Sequence, residues 1–136
     1  MNKVFLFDFD STLINEEVID CLAAKAGVTE EVSGITSSAM AGEIDFSESL
    51  IRRVSLLSGL SVTALDEVRA SITLTKGAEE LISDLQARGD LVAVVSGGFT
   101  EVISPKLDTL KISRYRANSL EIIEGKLSGK VQGKII

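Results

Sequence analysis

Hydrophobic positions change their spacing along the chain, and each change predicts a change of structure. Residues 4–7 form an apolar run enriched in aromatic and β-branched side chains, which predicts a buried first strand over residues 3–9. Residues 15–73 instead repeat apolar positions at helical spacing, with breaks at Gly27 and Gly59, and this predicts a series of helices. Four polar residues are expected to cap these helices at their N-termini: Asn15, Thr29, Asp45 and Ser61. One strand followed by a helical segment is therefore expected in the first half of the chain.

The second half of the chain alternates between helical and strand patterns. Residues 78–88 predict a helix, and residues 91–95 form a continuous apolar run, typical of a parallel strand covered on both faces. A further helix is predicted toward Leu110, and residues 115–123 and 127–131 predict the two strands of a hairpin.

This order of elements predicts an α/β fold: a Rossmann-like parallel-sheet core with a helical cap inserted after the first strand. The core would comprise residues 1–14 and 74–136, and the cap subdomain residues 15–73. Ligands of such sheets bind beyond the carboxyl ends of the strands. Functional residues are therefore expected at that edge, with the cap above it.

Composition narrows the possible functions. The net charge of −6 argues against a nucleic-acid partner, and no apolar stretch approaches the ~20 residues that span a membrane. The N-terminus lacks the regions of a signal peptide, so a cytoplasmic protein is expected. The single cysteine excludes an internal disulfide, and the absence of histidine excludes Ser-His-Asp and HExxH sites. Acid–base chemistry must therefore fall to carboxylates, lysine or tyrosine.

Asp8 and Asp10 follow the first strand directly and precede the polar pair Ser11-Thr12. They could form a metal site, a nucleophile with an acid–base partner, or both, because aspartate binds Mg²⁺ and also forms aspartyl-phosphates. The alternative is a pair of turn-forming or capping aspartates. An isolated Asp-x-Asp favours that alternative, but its place at the end of an apolar strand favours chemistry.

The segment Ser96-Gly97-Gly98 follows the second strand and leads into a predicted helix. Free N–H groups at a helix start, together with a hydroxyl, make an anion site of phosphate size. An ordinary strand-to-helix turn is the alternative. The presence of Asp8 at the end of a neighbouring strand favours the phosphate site.

The sequence resembles the phosphoserine phosphatases of the haloacid dehalogenase superfamily. The resemblance lies in the Phe-Asp-Phe-Asp-Ser-Thr-Leu motif at 7–13, in Glu17, in the run 40–57 and in Val-Val-Ser-Gly-Gly-Phe at 94–99. It extends over nearly the whole chain, including residues 117–118 and 125–129. It implies a cytoplasmic, Mg²⁺-dependent hydrolase that converts O-phospho-L-serine to serine and phosphate, the last step of serine biosynthesis.

The resemblance also implies roles for individual residues. Asp8 would be the nucleophile and Asp10 the acid–base, and both would bind Mg²⁺, Asp10 through its main-chain carbonyl. The substrate would be bound by the following residues: Ser96, Gly97 and Gly98 at the phosphate, Glu17 at the ammonium, Arg53 at the carboxylate, and Met40 and Phe46 around the pocket. Without the resemblance, Glu17 would be a helix N-terminal acid, Arg53 an exposed helix residue, and Met40 and Phe46 core residues.

Two elements that the resemblance implies do not occur before Ile136: a lysine that neutralises the phosphoryl group, and a Gly-Asp-Gly-x-Asn-Asp segment that supplies a metal ligand. Lys134 lies too early to match that lysine. We therefore expect a C-terminally truncated chain with an incomplete core, weak activity and an exposed edge at strand 3–9, which self-association would cover. The alternative is a catalytically weak or dead fragment that binds a phosphorylated amino acid or a protein.

Overall fold

A mostly parallel sheet forms the centre of the protein. The structure is a computed structural model and describes residues 2–133. Its strands are β1 (Val4–Phe7), β2 (Leu91–Phe99), β3 (Arg114–Ile123) and β4 (Lys126–Gly133). They lie in the order β1-β2-β3-β4; β1 and β3 run parallel to β2, and β4 runs antiparallel to β3. The α/β fold with a parallel sheet is confirmed. Lys134 lies outside the described residues.

Helices fill the connections between the first three strands. Those between β1 and β2 are α1 (Val18–Ala26), α2 (Thr29–Met40), α3 (Phe46–Ser55), α4 (Val62–Ser71) and α5 (Ala78–Ala87), and α6 (Thr100–Thr109) joins β2 to β3. The four helices predicted within residues 15–73 are therefore α1 to α4. Apolar side chains from all of these helices except α2, together with side chains from β2, β3 and β4, form one buried core.

The predicted N-cap residues differ in whether they cap a helix in the structure. Asp45 caps α3 as predicted, since its side chain accepts a hydrogen bond of 2.7 Å from the Glu48 N–H. Ser61 occupies the N-cap position of α4 without making a side-chain hydrogen bond. Thr29 is not a cap but the first residue of α2, after Val28. Only the Asp45 cap is thus confirmed as a hydrogen bond.

The predicted Asn15 cap is wrong because this residue serves the entrance of the insert instead. Helix α1 begins three residues later, at Val18. The Asn15 side chain donates a hydrogen bond of 2.8 Å to the Thr73 hydroxyl, and Ile14 forms an antiparallel bridge with Leu74. The two segments that enter and leave the helical insert are therefore joined side by side.

Two strand boundaries differ from the prediction. β1 covers residues 4–7 rather than 3–9, because the buried Phe9 begins a turn in which its carbonyl accepts the Leu13 N–H at 2.9 Å. β2 is longer than predicted and continues to Phe99, so residues 96–98 are not a turn. Its pairing with β3 is interrupted after Val95 and resumes at Phe99. The glycine segment is thus an irregular, extended part of a strand.

The β3–β4 hairpin contacts the helical insert through its backbone. Leu127 donates a hydrogen bond of 2.8 Å to the Leu60 carbonyl and accepts one of 2.8 Å from the Gly59 N–H. The Val62 N–H binds the Gly125 carbonyl at 3.0 Å. The insert is therefore anchored both at its entrance and at the segment between α3 and α4.

β1 forms one edge of the sheet and carries the exposed apolar side chains that were expected there. Val4 is 67% exposed and Leu6 is 65% exposed. Within residues 2–133, no helix has the length and apolar character needed to cross a membrane.

Candidate active site

A cavity of about 180 Å³ lies at the carboxyl end of β1, between the sheet and the helical insert. Its lining residues come from two walls, which we call the core wall and the insert wall. The core wall consists of Asp8, Asp10, Gly97, Gly98 and Phe99, and the insert wall of Glu17, Ile19, Phe46, Leu50 and Arg53. Most of the residues singled out by sequence are therefore gathered around one space.

Asp8 is the first residue after β1, and its carboxylate is exposed. One oxygen, Oδ1, accepts a hydrogen bond of 2.7 Å from the Phe9 N–H. This bond orients the carboxylate while leaving the side chain open to the cavity. An oriented and accessible carboxylate is what nucleophilic attack on a phosphoryl group requires.

Asp10 is more deeply placed than Asp8. Its Oδ2 accepts a hydrogen bond of 3.1 Å from the Val18 N–H, whereas its Oδ1 is buried and has no partner among the described residues. Burial raises the pKa of Asp10 to about 7; the Val18 hydrogen bond opposes this, and the charges of Glu17 and Asp8 add to it. At neutral pH the carboxyl is close to half protonated, which suits a group that both donates and accepts a proton.

The glycine segment of β2 packs tightly around these carboxylates. A Cβ on Gly98 would lie 3.0 Å from Ser96 Oγ and 3.3 Å from Asp10 Oδ1, and a Cβ on Gly97 would lie 3.0 Å from Phe46 Cζ. A side chain at either position would therefore be tight, and its neighbours would have to shift by a few tenths of an ångström. Ser96 is buried behind the cavity lining, and its Oγ accepts the Gly98 N–H at 2.9 Å.

Glu17 is held at the mouth of the cavity by the loop after Asp10. Ser11 Oγ donates a hydrogen bond of 2.8 Å to Glu17 Oε1. Ser11 has a φ of 56°, a left-handed conformation, and its N–H donates to the Glu16 carbonyl at 3.0 Å. A non-glycine residue in this region is unusual and needs such surrounding bonds to persist.

Arg53 lies opposite the two aspartates and is half-buried. Its Nε donates to the Ser49 carbonyl at 3.3 Å, and its Nη1 donates to the Thr36 hydroxyl at 3.5 Å. Desolvation lowers the pKa of Arg53, although the charges of Asp20 and Glu17 oppose this effect. In the part of the chain that the structure describes, no carboxylate forms an ion pair with it. The guanidinium therefore offers free N–H groups to an anion in the cavity.

The two apolar candidates on the insert differ from each other. Phe46 lines the cavity and is 48% exposed, so it is not a core residue. Met40 ends α2, is 86% exposed and does not line the cavity, so it is not a core residue either. Sequence reasoning also missed Ile19 and Leu50 as wall residues, because apolar positions at helical spacing do not distinguish a cavity wall from a core.

Two aspartates in one cavity wall could bind a divalent cation. Asp8 and Asp10 supply hard oxygen ligands, and the unpartnered Oδ1 of Asp10 lies in the same wall. Mg²⁺ is usually held by one or two carboxylates, several waters and substrate phosphate oxygens. Residues 2–133 contain no cluster of three or more acidic, histidine or cysteine side chains that could hold a metal by themselves. The pair therefore fits a Mg²⁺ site that is completed by other oxygens.

The known proteins that are similar to this chain belong to one enzyme family. Haloacid dehalogenase-like hydrolases match residues 5–136. A phosphoserine phosphatase of Lactococcus lactis subsp. lactis (strain IL1403) is 50% identical over 133 residues, which is 98% of this chain and 62% of that protein. A substrate-bound phosphoserine phosphatase complex has a TM-score of 0.92 at 47% identity, covering 98% of this chain and 63% of that one.

A second solved structure is similar to this chain over nearly the same length. A phospho-aspartyl intermediate analogue of phosphoserine phosphatase has a TM-score of 0.91 at 48% identity, covering 97% of this chain and 63% of that one. The chain thus spans less than two thirds of the length of these relatives.

Proposed function

The chain belongs to the haloacid dehalogenase-like hydrolase family, and on that premise we propose that it acts as a phosphoserine phosphatase, releasing serine and phosphate from O-phospho-L-serine. The observation that carries this proposal is one cavity with two aspartates on its core wall and with Glu17 and Arg53 on its insert wall. A carboxylate complements an ammonium group, and a guanidinium complements a carboxylate. An amino acid carrying a phosphate satisfies all of these groups together.

The proposed reaction has two steps. A carboxylate oxygen of Asp8 attacks phosphorus, the bond from phosphorus to the serine oxygen breaks, and Asp10 gives its proton to that oxygen. Asp10 then takes a proton from water, whose oxygen attacks phosphorus and releases phosphate from Asp8. The raised pKa of Asp10, about 7, supports both transfers, because the group exchanges its proton readily near neutral pH.

Asp8 and Asp10 are also the residues that we propose to hold Mg²⁺. Bound there, the cation would offset negative charge on the phosphoryl oxygens. The proposed reaction requires both carboxyl groups to lie next to the phosphate. Gly98 packs tightly against Asp10, which keeps the Asp10 carboxyl beside the glycine segment that we propose to bind the phosphate.

We propose that the glycine segment binds the phosphate from the other side. Ser96 Oγ accepts the Gly98 N–H, so its own proton is available to donate to an anion. Gly97 and Gly98 line the cavity, where the lack of side chains lets a ligand approach the backbone. A role for Met40 in the pocket stays a prediction.

Residues 15–73 are proposed to act as a cap subdomain over a core formed by residues 1–14 and 74–136. The paired entry and exit segments support this division, since the Thr75 N–H binds the Leu13 carbonyl at 2.8 Å next to the bridge between Ile14 and Leu74. Self-association through the edge of β1 and a cytoplasmic location stay predictions.

Three phosphate compounds test the proposed function: phosphoserine, phosphoethanolamine, which lacks the carboxylate, and 3-(phosphonooxy)propanoate, which lacks the ammonium. Phosphate release with Mg²⁺ and the dissociation constants from calorimetry would both be measured. We expect phosphoserine to be preferred over each of the other two compounds by about tenfold or more, since each lost ion pair is worth roughly 1.5–3 kcal/mol. Equal binding of all three would contradict the proposal, and selective binding without turnover would favour a binding module.

A further inference from the structure

Thr36, on α2, is a second residue in contact with Arg53 and does not itself line the cavity. Its hydroxyl accepts the Arg53 Nη1 hydrogen bond across the interface between α2 and α3. It also donates a hydrogen bond of 3.1 Å to the Val32 carbonyl, one turn back on its own helix. The hydroxyl therefore joins a residue of the insert wall to the backbone of a neighbouring helix.

The Val32 bond fixes how the hydroxyl faces Arg53. A threonine hydroxyl has one proton and two acceptor lone pairs, whereas a guanidinium has donors only, so the hydroxyl always accepts from Arg53. The bond to the carbonyl of the buried Val32 uses the proton and directs it away from the guanidinium. Its lone pairs are consequently held toward Arg53, and the position of Oγ1 is set by a helix that contributes none of the cavity lining.

The guanidinium has five N–H groups in one rigid plane. The Ser49 carbonyl binds the N–H of Nε and Thr36 binds one N–H of Nη1, which leaves three, and a carboxylate bound end-on needs two of them, one from each outer nitrogen. Two fixed bonds also define the rotation of a plane, whereas a single bond at Nε leaves the outer nitrogens free to turn. The Ser49 bond is made by backbone, so Thr36 is the side chain that determines this orientation.

We propose that Thr36 is a positioning residue that holds the Arg53 guanidinium with its free edge toward the cavity, and that it thereby sets the preference for substrates carrying an α-carboxylate. The proposal rests on the proposed function, in which Arg53 binds the substrate carboxylate. It assigns selectivity to a contact between two helices of the insert rather than to the cavity lining alone.

The test compares Thr36→Val, which removes the hydroxyl and nearly keeps the shape, with Thr36→Ser, which keeps the hydroxyl. Calorimetry on the 136-residue chain would give the dissociation constants of phosphoserine and phosphoethanolamine. We expect Thr36→Val to weaken phosphoserine about fivefold and to leave phosphoethanolamine unchanged, and Thr36→Ser to behave as the parent does. Thr29→Val, the same change at an exposed position of α2, is the matched control.

A double-variant cycle separates positioning from a general effect on the fold. Once Arg53 is replaced by alanine, Thr36→Val should have no further effect on phosphoserine binding. An equal loss in both backgrounds, or an equal loss for both compounds, would overturn the proposal.

A measurement without substrate keeps this inference distinct from the proposed function. The Arg53 Nη1–H resonances, assigned by their loss in Arg53→Lys, should exchange with water faster in Thr36→Val than in the parent or in Thr36→Ser, because Nη1 is the nitrogen that Thr36 binds. Unchanged exchange would overturn the positioning role even if phosphoserine is the substrate. A chain that binds neither compound would refute the proposed function, and with it the α-carboxylate preference, while the exchange data would still decide whether Thr36 orients Arg53.

Discussion

The two walls of the cavity are built in different ways. The core wall holds its groups close to the backbone, in two short segments that follow or end a strand, and a Cβ on Gly98 would lie only 3.3 Å from Asp10 Oδ1. The insert wall holds its groups at the ends of long side chains from the helical segment, and Phe46 is half exposed. Short groups held close to the backbone suit a reaction that needs fixed distances, whereas long side chains on a separate layer can be varied to suit the rest of the substrate. The difference supports the proposal that the core wall carries out phosphoryl transfer and the insert wall selects the substrate.

Asp8→Asn should cause the largest loss of activity of any change in the core wall. The amide is a poor nucleophile, so phosphate release from phosphoserine should fall on the order of 10⁴-fold or more, while binding is retained. Phosphate release under single-turnover conditions would measure the loss. Asp84→Asn, on an exposed face of α5, is the control and should release phosphate at the parent rate. Comparable rates for Asp8→Asn and the parent would refute the nucleophile assignment.

Asp10→Asn should change how stability depends on pH. A carboxyl whose folded pKa is raised from 3.8 to about 7 binds its proton more tightly when folded, so its contribution is present below pH 3.8 and is lost as pH rises through 7. The expected loss between pH 4 and 8 is roughly 2–4 kcal/mol, with the lower value allowing for solvent screening. Urea unfolding at several pH values would show a flatter profile for Asp10→Asn than for the parent. Parallel profiles would contradict an elevated pKa.

Arg53→Ala tests the insert wall against an internal control on the same helix. Loss of the guanidinium should raise the dissociation constant of phosphoserine about 10- to 100-fold and leave that of phosphoethanolamine nearly unchanged. Arg52→Ala removes the neighbouring arginine, which is exposed and pairs with Glu48 at 2.8 Å, and should leave both constants unchanged. Similar effects of the two changes would argue that overall positive charge, rather than the position of Arg53, attracts the substrate.

Ser49→Ala should have the smallest effect of these changes. It separates the contribution of the Ser49 hydroxyl to stability from that of the Ser49 carbonyl to the position of Arg53. The Ser49 hydroxyl is buried and has no hydrogen-bond partner within residues 2–133, and a buried unsatisfied polar group is costly. Its removal should raise the free energy of unfolding by about 1 kcal/mol, as measured by urea titration. Phosphoserine affinity should not change, because Arg53 binds the Ser49 carbonyl rather than the hydroxyl. Lower stability would show that the hydroxyl has a partner in solution.

Local features were the most predictable. The Asp45 cap joins residues three apart, and the hairpin turn uses two consecutive residues, Glu124 and Gly125, both with positive φ. The positions of the candidate catalytic residues were also predictable from local sequence, since Asp8 and the glycine segment each follow a recognisable apolar run. In parallel strands, the carboxyl ends lie at one edge.

Features that depend on distant partners were not predictable in this way. Asn15 was expected to cap a helix, yet it binds Thr73, which is 58 residues away in the chain. The glycine segment continues β2, whose pairing with β3 resumes at Phe99, although its composition indicates a turn. Propensity describes the options of a segment, and contacts between segments select among them.

The sequence by itself determined the α/β order of elements, the family, and the chemical groups available for a reaction without histidine. Only the tertiary structure decided that Asp10 is buried enough for a raised pKa, that Met40 lies outside the cavity lining, and that Thr36 contacts Arg53 from another helix. The physical reason is that residue type and spacing are local properties of a chain. Desolvation and hydrogen-bond geometry depend instead on which surfaces meet after folding.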